Sequence, residues 1–326
     1  MEKKTLIQKT DIKRAISKYG TLLGLIVIVL IAAMATRGAS LSKVNVQNLL
    51  RQVTVLGFAS LGMTVVILTG NIDLSIIGNV SMTTVLTAVL MQKEWPIWAI
   101  LLVVLMSGAF IGLCNGAILS IWKIESFVVT MGMQVVCFGL ALLFSDSRTV
   151  IVDGNLLMSK YLIFKNLATS KFLGIPIMFI ILIVFYLIFY FLSKKTKLGR
   201  YIFALGGSEE VCYISGINVS FVRIMAYVIS GTCAALAGIF MYSRSLCGDP
   251  NAGTALGMFV VAAVVVGGTK MSGGRGSILY TIIGIFIIQI INNTMNLLGA
   301  PYQIQQVIQG IIILIAVIIS SSRRRG

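Results

Sequence analysis

The sequence predicts an all-α integral membrane protein with about ten membrane-spanning helices. Of its 326 residues, 58% are apolar and only 11% are charged, and the mean hydropathy is +1.00. A soluble chain of this length would carry roughly a quarter charged residues. Apolar runs long enough to cross a lipid bilayer recur along the whole chain. Composition and run length therefore exclude an ordinary soluble domain.

The basic residues lie mainly between the apolar runs. There are 26 lysines and arginines against 10 acidic residues, a formal net charge of +16. In a membrane protein, the positive-inside bias and anionic lipid headgroups explain this excess better than nucleic acid does. Histidine is absent and the five cysteines have no paired spacing. We therefore expect no metal site, no disulfide framework and no catalytic residues of a hydrolase.

The N-terminal region predicts a cytoplasmic head, residues 1–19, followed by a first span at residues 19–36. A basic head before an apolar run is also the pattern of a signal peptide, but the many later spans favour an uncleaved first span. The other nine spans are expected at residues 52–70, 75–91, 96–121, 125–145, 173–193, 220–243, 255–267, 278–297 and 302–320.

An even number of spans places both termini on one side of the membrane. The basic head and the basic tail, residues 321–326, indicate that this side is the cytoplasm. Arg37, Lys43 and Arg51 then fall on the outer side. They would reach lipid headgroups if residues 44–51 form a helical entry to the second span rather than a free loop.

The longest polar interruption in the second half of the chain, residues 194–218, predicts a short cytoplasmic helix. Ser208 suits the N-cap, and Gly216 suits the left-handed stop. About seven helical residues would lie between them, a rod of about 10 Å. They include two acidic residues, Glu209 and Glu210, whose charge the helix dipole stabilises at this end. They also include two apolar residues on one side, Val211 and Ile214. The apolar side requires a packing partner, whereas an ordinary loop with one helical turn is the alternative.

The segment 70–75 breaks the apolar pattern with a glycine and three polar residues, Asn71, Asp73 and Ser75. A buried aspartate in a membrane normally faces a partner, a cavity or water. Glycine breaks near the bilayer midplane are also where transporters bind their substrates. These residues are therefore candidates for a solute pathway. The alternative is a tight cytoplasmic turn whose polar side chains satisfy backbone groups.

Amide side chains recur in the ninth run. Gln289, Asn293 and Asn296 are predicted to share one helix face, because their spacings are four and three residues. Asn115, in the fourth run, is a further pathway candidate. Amides at these positions either hold helices together or line a polar path, and both alternatives stay open.

Two runs carry small residues at spacings that let helices approach closely. They are Gly108, Gly112 and Gly116 in one run, and Gly231, Ala235 and Gly238 in another. The glycine-rich segment 267–277 lacks the GxxxxGK[ST] order of a phosphate-binding loop. It therefore predicts a cytoplasmic turn and no nucleotide site.

In this order, the motifs resemble those of the membrane permease subunits of bacterial ABC importers for ribose, galactose and related sugars, including autoinducer sugars. The resemblance is collinear from about residue 50 to residue 320. The motifs are GMT with GNIDLS (62–75), GxxNG (112–116), LGR with ALGGSEE and SGIN (198–218), PNAG (250–253), GGT with GGRGS (267–277) and NN with NLLG (292–299).

The resemblance implies that residues 20–320 form one permease domain in the bacterial cytoplasmic membrane, with both termini cytoplasmic. It implies a second permease subunit (identical or homologous), cytoplasmic ATP-binding subunits and an extracytoplasmic solute-binding protein. No cofactor is expected on this chain, and ATP would be hydrolysed by the partner. The residues implied in ATPase coupling are Gly199, Arg200, Gly206, Gly207, Ser208, Glu209, Glu210, Val211, Ile214 and Gly216.

Three positions depart from the family pattern. Asn71 replaces a usual glycine, Glu125-Ser126 replaces a common proline, and the acidic residue expected near the start of the eighth span is missing from residues 256–259. The alternative function is a gradient-driven secondary carrier or facilitator, for which Asp73 is almost the only buried titratable candidate. A membrane enzyme has little support without histidine or a nucleophile–base pair.

Overall fold

The computed structural model describes residues 20–152, 158–301, 303–308, 310–311 and 314, and most of them are helical. The helices are α1 (Gly20–Ala35), α2 (Lys43–Leu68), α3 (Ser75–Gln92), α4 (Ile97–Trp122), α5 (Ser126–Phe144), α6 (Met158–Thr169), α7 (Ile177–Lys195), α8 (Lys197–Gly207), α9 (Glu209–Ile214), α10 (Val219–Ser245), α11 (Phe259–Val266) and α12 (Ile278–Leu297). Short 3-10 turns cover Ala39–Leu41 and Ala252–Ala255. Residues 303–308 are also helical.

Four two-residue strands form two antiparallel ribbons. In one ribbon β1 (Val150–Ile151) pairs with β4 (Cys247–Gly248), and in the other β2 (Lys171–Phe172) pairs with β3 (Ile175–Pro176). Both ribbons lie in connections between helices. The prediction of an all-α architecture is therefore confirmed.

Among the described residues, seven helices are long and apolar enough to cross a membrane: α2, α3, α4, α5, α7, α10 and α12. α1 and the segment Ala252–Val266, which contains α11, are shorter apolar helices. The chain is thus a polytopic membrane protein. The predicted tenth span at 302–320 lies mostly outside the described residues, as do the predicted head and tail, so the count of ten and the domain limits stay predictions.

The second span starts earlier than the sequence predicted. α2 begins at Lys43 rather than near residue 52, and the Ser42 hydroxyl caps it by accepting a hydrogen bond from the Asn45 amide (3.4 Å). The segment 44–51 is therefore a helical entry. Arg51 does not extend to headgroups there, because its Nε donates to the carbonyl oxygen of Ala168 (2.9 Å).

The core of the molecule is built around α2 and α10. Every residue of α2 from Val53 to Leu68 is buried. Phe58 of α2 stacks on Phe240 of α10, with 4.9 Å between ring centroids. This burial explains why α2 is apolar on all sides over most of its length, since a helix surrounded by other helices has no polar face.

α4 and α10 approach closely through glycines. A Cβ atom on Gly108 would collide with the carbonyl oxygen of Gly231, and a Cβ atom on Gly231 would collide with that of Gly108. One turn further along α4, a Cβ atom on Gly112 would collide with the carbonyl oxygen of Tyr227, and Gly116 lies against Ile224. The absence of side chains at these positions permits this backbone contact.

Residues Ala235 and Gly238 continue the small face of α10. The Ala235 side chain lies against Gly108, whereas Gly238 faces Thr83 of α3 rather than α4. The predicted small face of α10 therefore contacts two neighbouring helices.

The connections between helices form two groups. Among the described residues, no hydrogen bond joins a connection of one group to a connection of the other. On the side that carries both ribbons, Lys160 Nζ donates to the carbonyl oxygen of Glu94 (2.6 Å) and Gln47 Nε2 donates to that of Gly174 (3.1 Å). On the side that carries α9, the Gly274 amide donates to the carbonyl oxygen of Leu68 (3.0 Å). We call these the ribbon side and the α9 side.

Candidate functional site

The buried polar cluster around Asp73 lies in the turn between α2 and α3. Asp73 is fully buried, and its Oδ1 accepts hydrogen bonds from the amide (3.0 Å) and the hydroxyl (2.5 Å) of Ser75. Its Oδ2 accepts from the hydroxyl of Ser230 in α10 (2.7 Å). Asn115 of α4 donates to the Ser75 hydroxyl (2.8 Å). Both oxygens of the carboxyl group therefore have hydrogen-bond donors inside the protein, as a buried polar group requires.

The same turn is attached to α5 and α10. The Ile72 amide donates to the Ser126 hydroxyl (3.2 Å), and the Leu74 amide donates to the Thr130 hydroxyl (3.1 Å). The Tyr227 hydroxyl donates to the carbonyl oxygen of Ile72 (3.2 Å). Within the described residues, the side chain of Asn71 bonds only to Thr69. These contacts favour the tight-turn alternative over a pathway lining.

A polar cavity of about 270 Å³ lies on the ribbon side, between α2, α10, α11 and α12. Six of its lining side chains are amides, Gln52, Gln289, Asn292, Asn296, Gln305 and Gln306. The other lining residues are Val55, Leu56, Met241, Arg244, Thr254, Leu256 and Phe259. An amide both donates and accepts hydrogen bonds, as a hydroxyl does, so the amides suit a solute with many hydroxyl groups.

Two of these amides have no hydrogen-bond partner among the described residues. Gln52 and Gln289 make no hydrogen bond within the described part of the chain, although Gln289 is only 9% exposed. In contrast, Gln305 Nε2 donates to Asn296 Oδ1 (3.0 Å). An unpaired polar group inside a membrane domain is costly unless water or a solute reaches it. Gln52 and Gln289 are therefore available to bind a solute.

The predicted polar face of α12 needs a correction. Asn293 does not line the amide cavity but pairs with Asn45 of α2, each amide nitrogen donating to the other residue's oxygen (2.8 and 3.0 Å). The face on the cavity consists of Gln289, Asn292 and Asn296. Asn293 thus fastens α12 to α2, one of the two alternatives for these amides.

Five further polar lining residues were not predicted. The cavity also receives Gln52, Arg244, Thr254, Gln305 and Gln306, which come from four separate segments of the chain. No local pattern identifies them, because only the packing of these segments against α12 brings them together. The cluster of amides in the ninth run was the only sequence signal for the site.

The short helix α9 has the predicted caps. The Ser208 hydroxyl accepts from the Val211 amide (3.3 Å), Glu209 and Glu210 form the first turn, and Gly216 has φ +74°. The helix contains six residues. Three of its apolar or aromatic side chains are strongly exposed: Val211 (61%), Tyr213 (78%) and Ile214 (77%). We call these three residues the α9 patch.

α9 is held against α10 by an ion pair and a buried thiol. Glu209 Oε2 lies 2.6 Å from Arg223 Nη2 at the start of α10. Cys212 is buried, and burial, together with the nearby Glu209 carboxylate, raises the pKa of its thiol. The thiol therefore stays protonated and unreactive at neutral pH. These contacts direct the α9 patch away from the protein.

The segment before α9 is a helix that no pattern in the sequence predicted. α8 begins after Thr196, whose hydroxyl accepts from the Gly199 amide (3.1 Å). Gly199 also lies against the backbone of Ser193, and Arg200 Nη1 donates to the carbonyl oxygen of Lys195 (3.4 Å). Residues 194–218 therefore hold two consecutive short helices rather than one.

α8 ends at a backbone contact that we call the glycine junction, formed by Gly70, Gly206, Gly273 and Gly274. A Cβ atom on Gly206 would collide with the carbonyl oxygen of Leu68 and the amide nitrogen of Gly274, and one on Gly273 would collide with Gly70. By contrast, no atom from outside the adjacent backbone of α8 lies within 4 Å of the Cβ position of Gly207. The junction links α8 directly to the turn that holds Asp73.

Comparison with known proteins identifies relatives over nearly the whole chain. Residues 45–317 match the family described as branched-chain amino acid transport system / permease component. The ribose import permease protein of Bacillus subtilis is 37% identical over 307 residues, which cover 94% of this chain and 93% of that protein. The ribose import permease protein of Haemophilus influenzae is 33% identical over 308 residues, 94% of each chain. The D-allose transport system permease protein of Escherichia coli is 32% identical over 301 residues, 92% and 90%. No solved structure matches the chain.

Proposed function

We propose a transport mechanism for this chain. The chain belongs to the branched-chain amino acid transport system / permease component family and is the permease subunit of an ABC importer. It is a multi-pass membrane protein of the inner membrane and a transport component rather than an enzyme. The solute is a sugar or a sugar-like molecule. Relatives named for ribose and allose and the amides of the cavity support a polyhydroxylated solute.

The α9 patch is the observation that carries the coupling proposal. It binds the cytoplasmic ATP-binding subunit, because exposed apolar side chains on a capped helix outside the membrane mark an interaction surface. The α9 side is then the cytoplasmic side. Lys194, Lys195, Lys197 and Arg200 support this orientation through the positive-inside bias. Ten spans with both termini in the cytoplasm fit the same orientation.

ATP acts only through the partner subunits, and this chain binds no cofactor. Closure of the ATP-binding subunits moves α9 and α8, and the glycine junction transmits that movement to α2 and to the Asp73 turn. The spans thereby shift between outward and inward access. A second permease subunit, identical or homologous, completes the membrane unit, and an extracytoplasmic binding protein delivers the solute to the ribbon side.

The coupling proposal is tested with the double variant Glu210→Ala, Val211→Asp. A charge in the α9 patch would be desolvated on binding, so the double variant should lose uptake and fail to capture the ATP-binding subunit, while its level in the membrane stays normal. Capture is measured by pull-down from detergent-solubilised membranes.

Val44→Asp serves as the matched control, because Val44 is 70% exposed on the ribbon side. This single variant should capture the ATP-binding subunit like the unmodified chain. Normal capture by the double variant would contradict the assignment of the α9 patch as the binding surface for the ATP-binding subunit.

A further inference from the structure

Arg244 is an unpaired cation in the wall of the amide cavity. It lies in the last turn of α10, its side chain is exposed to the cavity, and it makes no hydrogen bond or ion pair within the described part of the chain. The one salt bridge among the described residues joins Arg223 and Glu209 on the opposite side of the molecule. A guanidinium retains its charge at any physiological pH, so the cavity carries a fixed positive charge.

Among the described residues, no carboxylate pairs with this charge. None of the cavity residues is acidic. The sequences of α2, α10, α11 and α12 contain no aspartate or glutamate, and no acidic residue follows Asp249 anywhere in the chain. Asp249 is the acidic residue next to α10, but it does not line the cavity, and its Oδ1 accepts from the Asn251 amide (2.8 Å). The described part of the chain therefore supplies no counterion within the cavity.

The start of α11 adds to the positive potential. α11 begins at Phe259, which lines the cavity, and no side chain caps that end of the helix. The Phe259 amide donates to the carbonyl oxygen of Leu256 (3.0 Å), but the first turn of a helix still carries a partial positive charge. Together with Arg244, this end makes the cavity favourable for an anion and unfavourable for a cation.

We propose that the solute accepted by the amide cavity is an acidic sugar, whose carboxylate binds Arg244 and whose hydroxyls bind the unpaired amides of Gln52 and Gln289. This inference rests on the proposed function and specifies its substrate class. Arginine binds a carboxylate through two parallel hydrogen bonds, and amides bind hydroxyls as donors and acceptors. A neutral sugar would leave the guanidinium without its counterion.

The test is binding of D-galacturonate, D-galactose and acetate to the purified full-length permease in neutral detergent at constant ionic strength, without the binding protein. Galacturonate should bind roughly tenfold to hundredfold more tightly than galactose, since it adds a charge-assisted hydrogen bond. It should also bind more tightly than acetate, which lacks the hydroxyls. Arg244→Gln should abolish the preference for the acid while galactose binding persists, and Arg244→Lys should restore part of it.

Arg148→Gln is the matched control, because it removes the same charge from an exposed ribbon-side residue outside the cavity. It should leave the preference unchanged. Equal binding of galacturonate and galactose, no binding of galacturonate, or a preference that survives Arg244→Gln would each overturn the inference.

Two further experiments test whether Arg244 binds a partner other than an acidic sugar. If phosphatidylglycerol added to the detergent blocks galacturonate, a lipid headgroup is the occupant and the inference fails. If Arg244→Gln leaves sugar binding unchanged but stops docking of the binding protein, Arg244 belongs to that interface and the inference again fails. ATP-dependent uptake of neutral sugars without a preference for acids would overturn this inference alone, whereas loss of ATP dependence would overturn the proposed function.

Discussion

At the scale of single residues, the same type of side chain has different roles according to which neighbour it meets. Asn292 and Asn293 are adjacent in sequence, yet Asn292 lines the amide cavity and Asn293 is paired with Asn45. Successive residues of an α-helix point about 100° apart. The sequence predicted a polar cluster in α12 correctly, but spacing alone could not determine which of two neighbouring amides faces a partner helix.

Substitutions of Asp73 can distinguish a structural role of its side chain from a role in transport. Asp73→Ala should destabilise the protein by about 1–3 kcal/mol, because the hydroxyls of Ser75 and Ser230 would lose their buried acceptor. Asp73→Asn should keep most of the stability, since the Ser230 hydroxyl can rotate to accept from the new amide. Thermal unfolding in detergent measures both variants.

The transport activity of Asp73→Asn distinguishes the two interpretations of the turn. If Asp73 only fastens the turn, this variant should transport at close to the normal rate. A stable Asp73→Asn protein without uptake would contradict a purely structural role. It would indicate that Asp73 lines the solute pathway or takes part in a gradient-driven mechanism.

At the scale of elements, local signals predicted some helices and missed others for physical reasons. α9 was predicted because its caps, Ser208 and Gly216, act within one turn of the helix. The span at α2 was predicted to start near residue 52, with a helical entry at 44–51 as an alternative, because the first turns of α2 are polar. Tertiary contacts such as Asn45 with Asn293 and Arg51 with Ala168 explain those residues. α8 was missed because residues 194–207 were interpreted only as the basic start of a cytoplasmic segment, and Gly206 serves a backbone contact that no sequence pattern specifies.

The glycine junction predicts a sharp difference between two adjacent glycines of α8. Gly206→Ala would place a methyl group on the backbone of Leu68 and Gly274, so α8 would have to separate from α2. We expect uptake to fall at least tenfold while the ATP-binding subunit is still captured. Gly207→Ala is the control, because its methyl group would meet no atom of another segment within 4 Å.

Uptake and capture are measured for both variants in the same membranes. Equal uptake by Gly206→Ala and Gly207→Ala would contradict transmission through the junction. Loss of capture in Gly206→Ala would instead indicate that the substitution disrupts α9 itself.

At the scale of the whole molecule, apolar runs specified the class of protein and most of its helices. Long runs predict spans reliably because a helix satisfies its own backbone groups in lipid. The apolar runs did not predict how the spans are arranged, because that arrangement depends on packing. Examples are the contact of α4 with α10 and the cavity between α2, α10, α11 and α12. The cavity and the α9 patch lie on opposite sides, as expected of a permease that receives its solute on one side and its energy on the other.

The most direct test of that arrangement is uptake by proteoliposomes that contain this chain with its ATP-binding subunits and its binding protein. Radiolabelled D-ribose, D-galactose and D-galacturonate serve as solutes, with ATP supplied on the α9 side. We expect uptake that requires ATP and is unaffected by a protonophore. Uptake that persists without ATP and collapses with the protonophore would contradict the ABC mechanism and indicate a gradient-driven carrier.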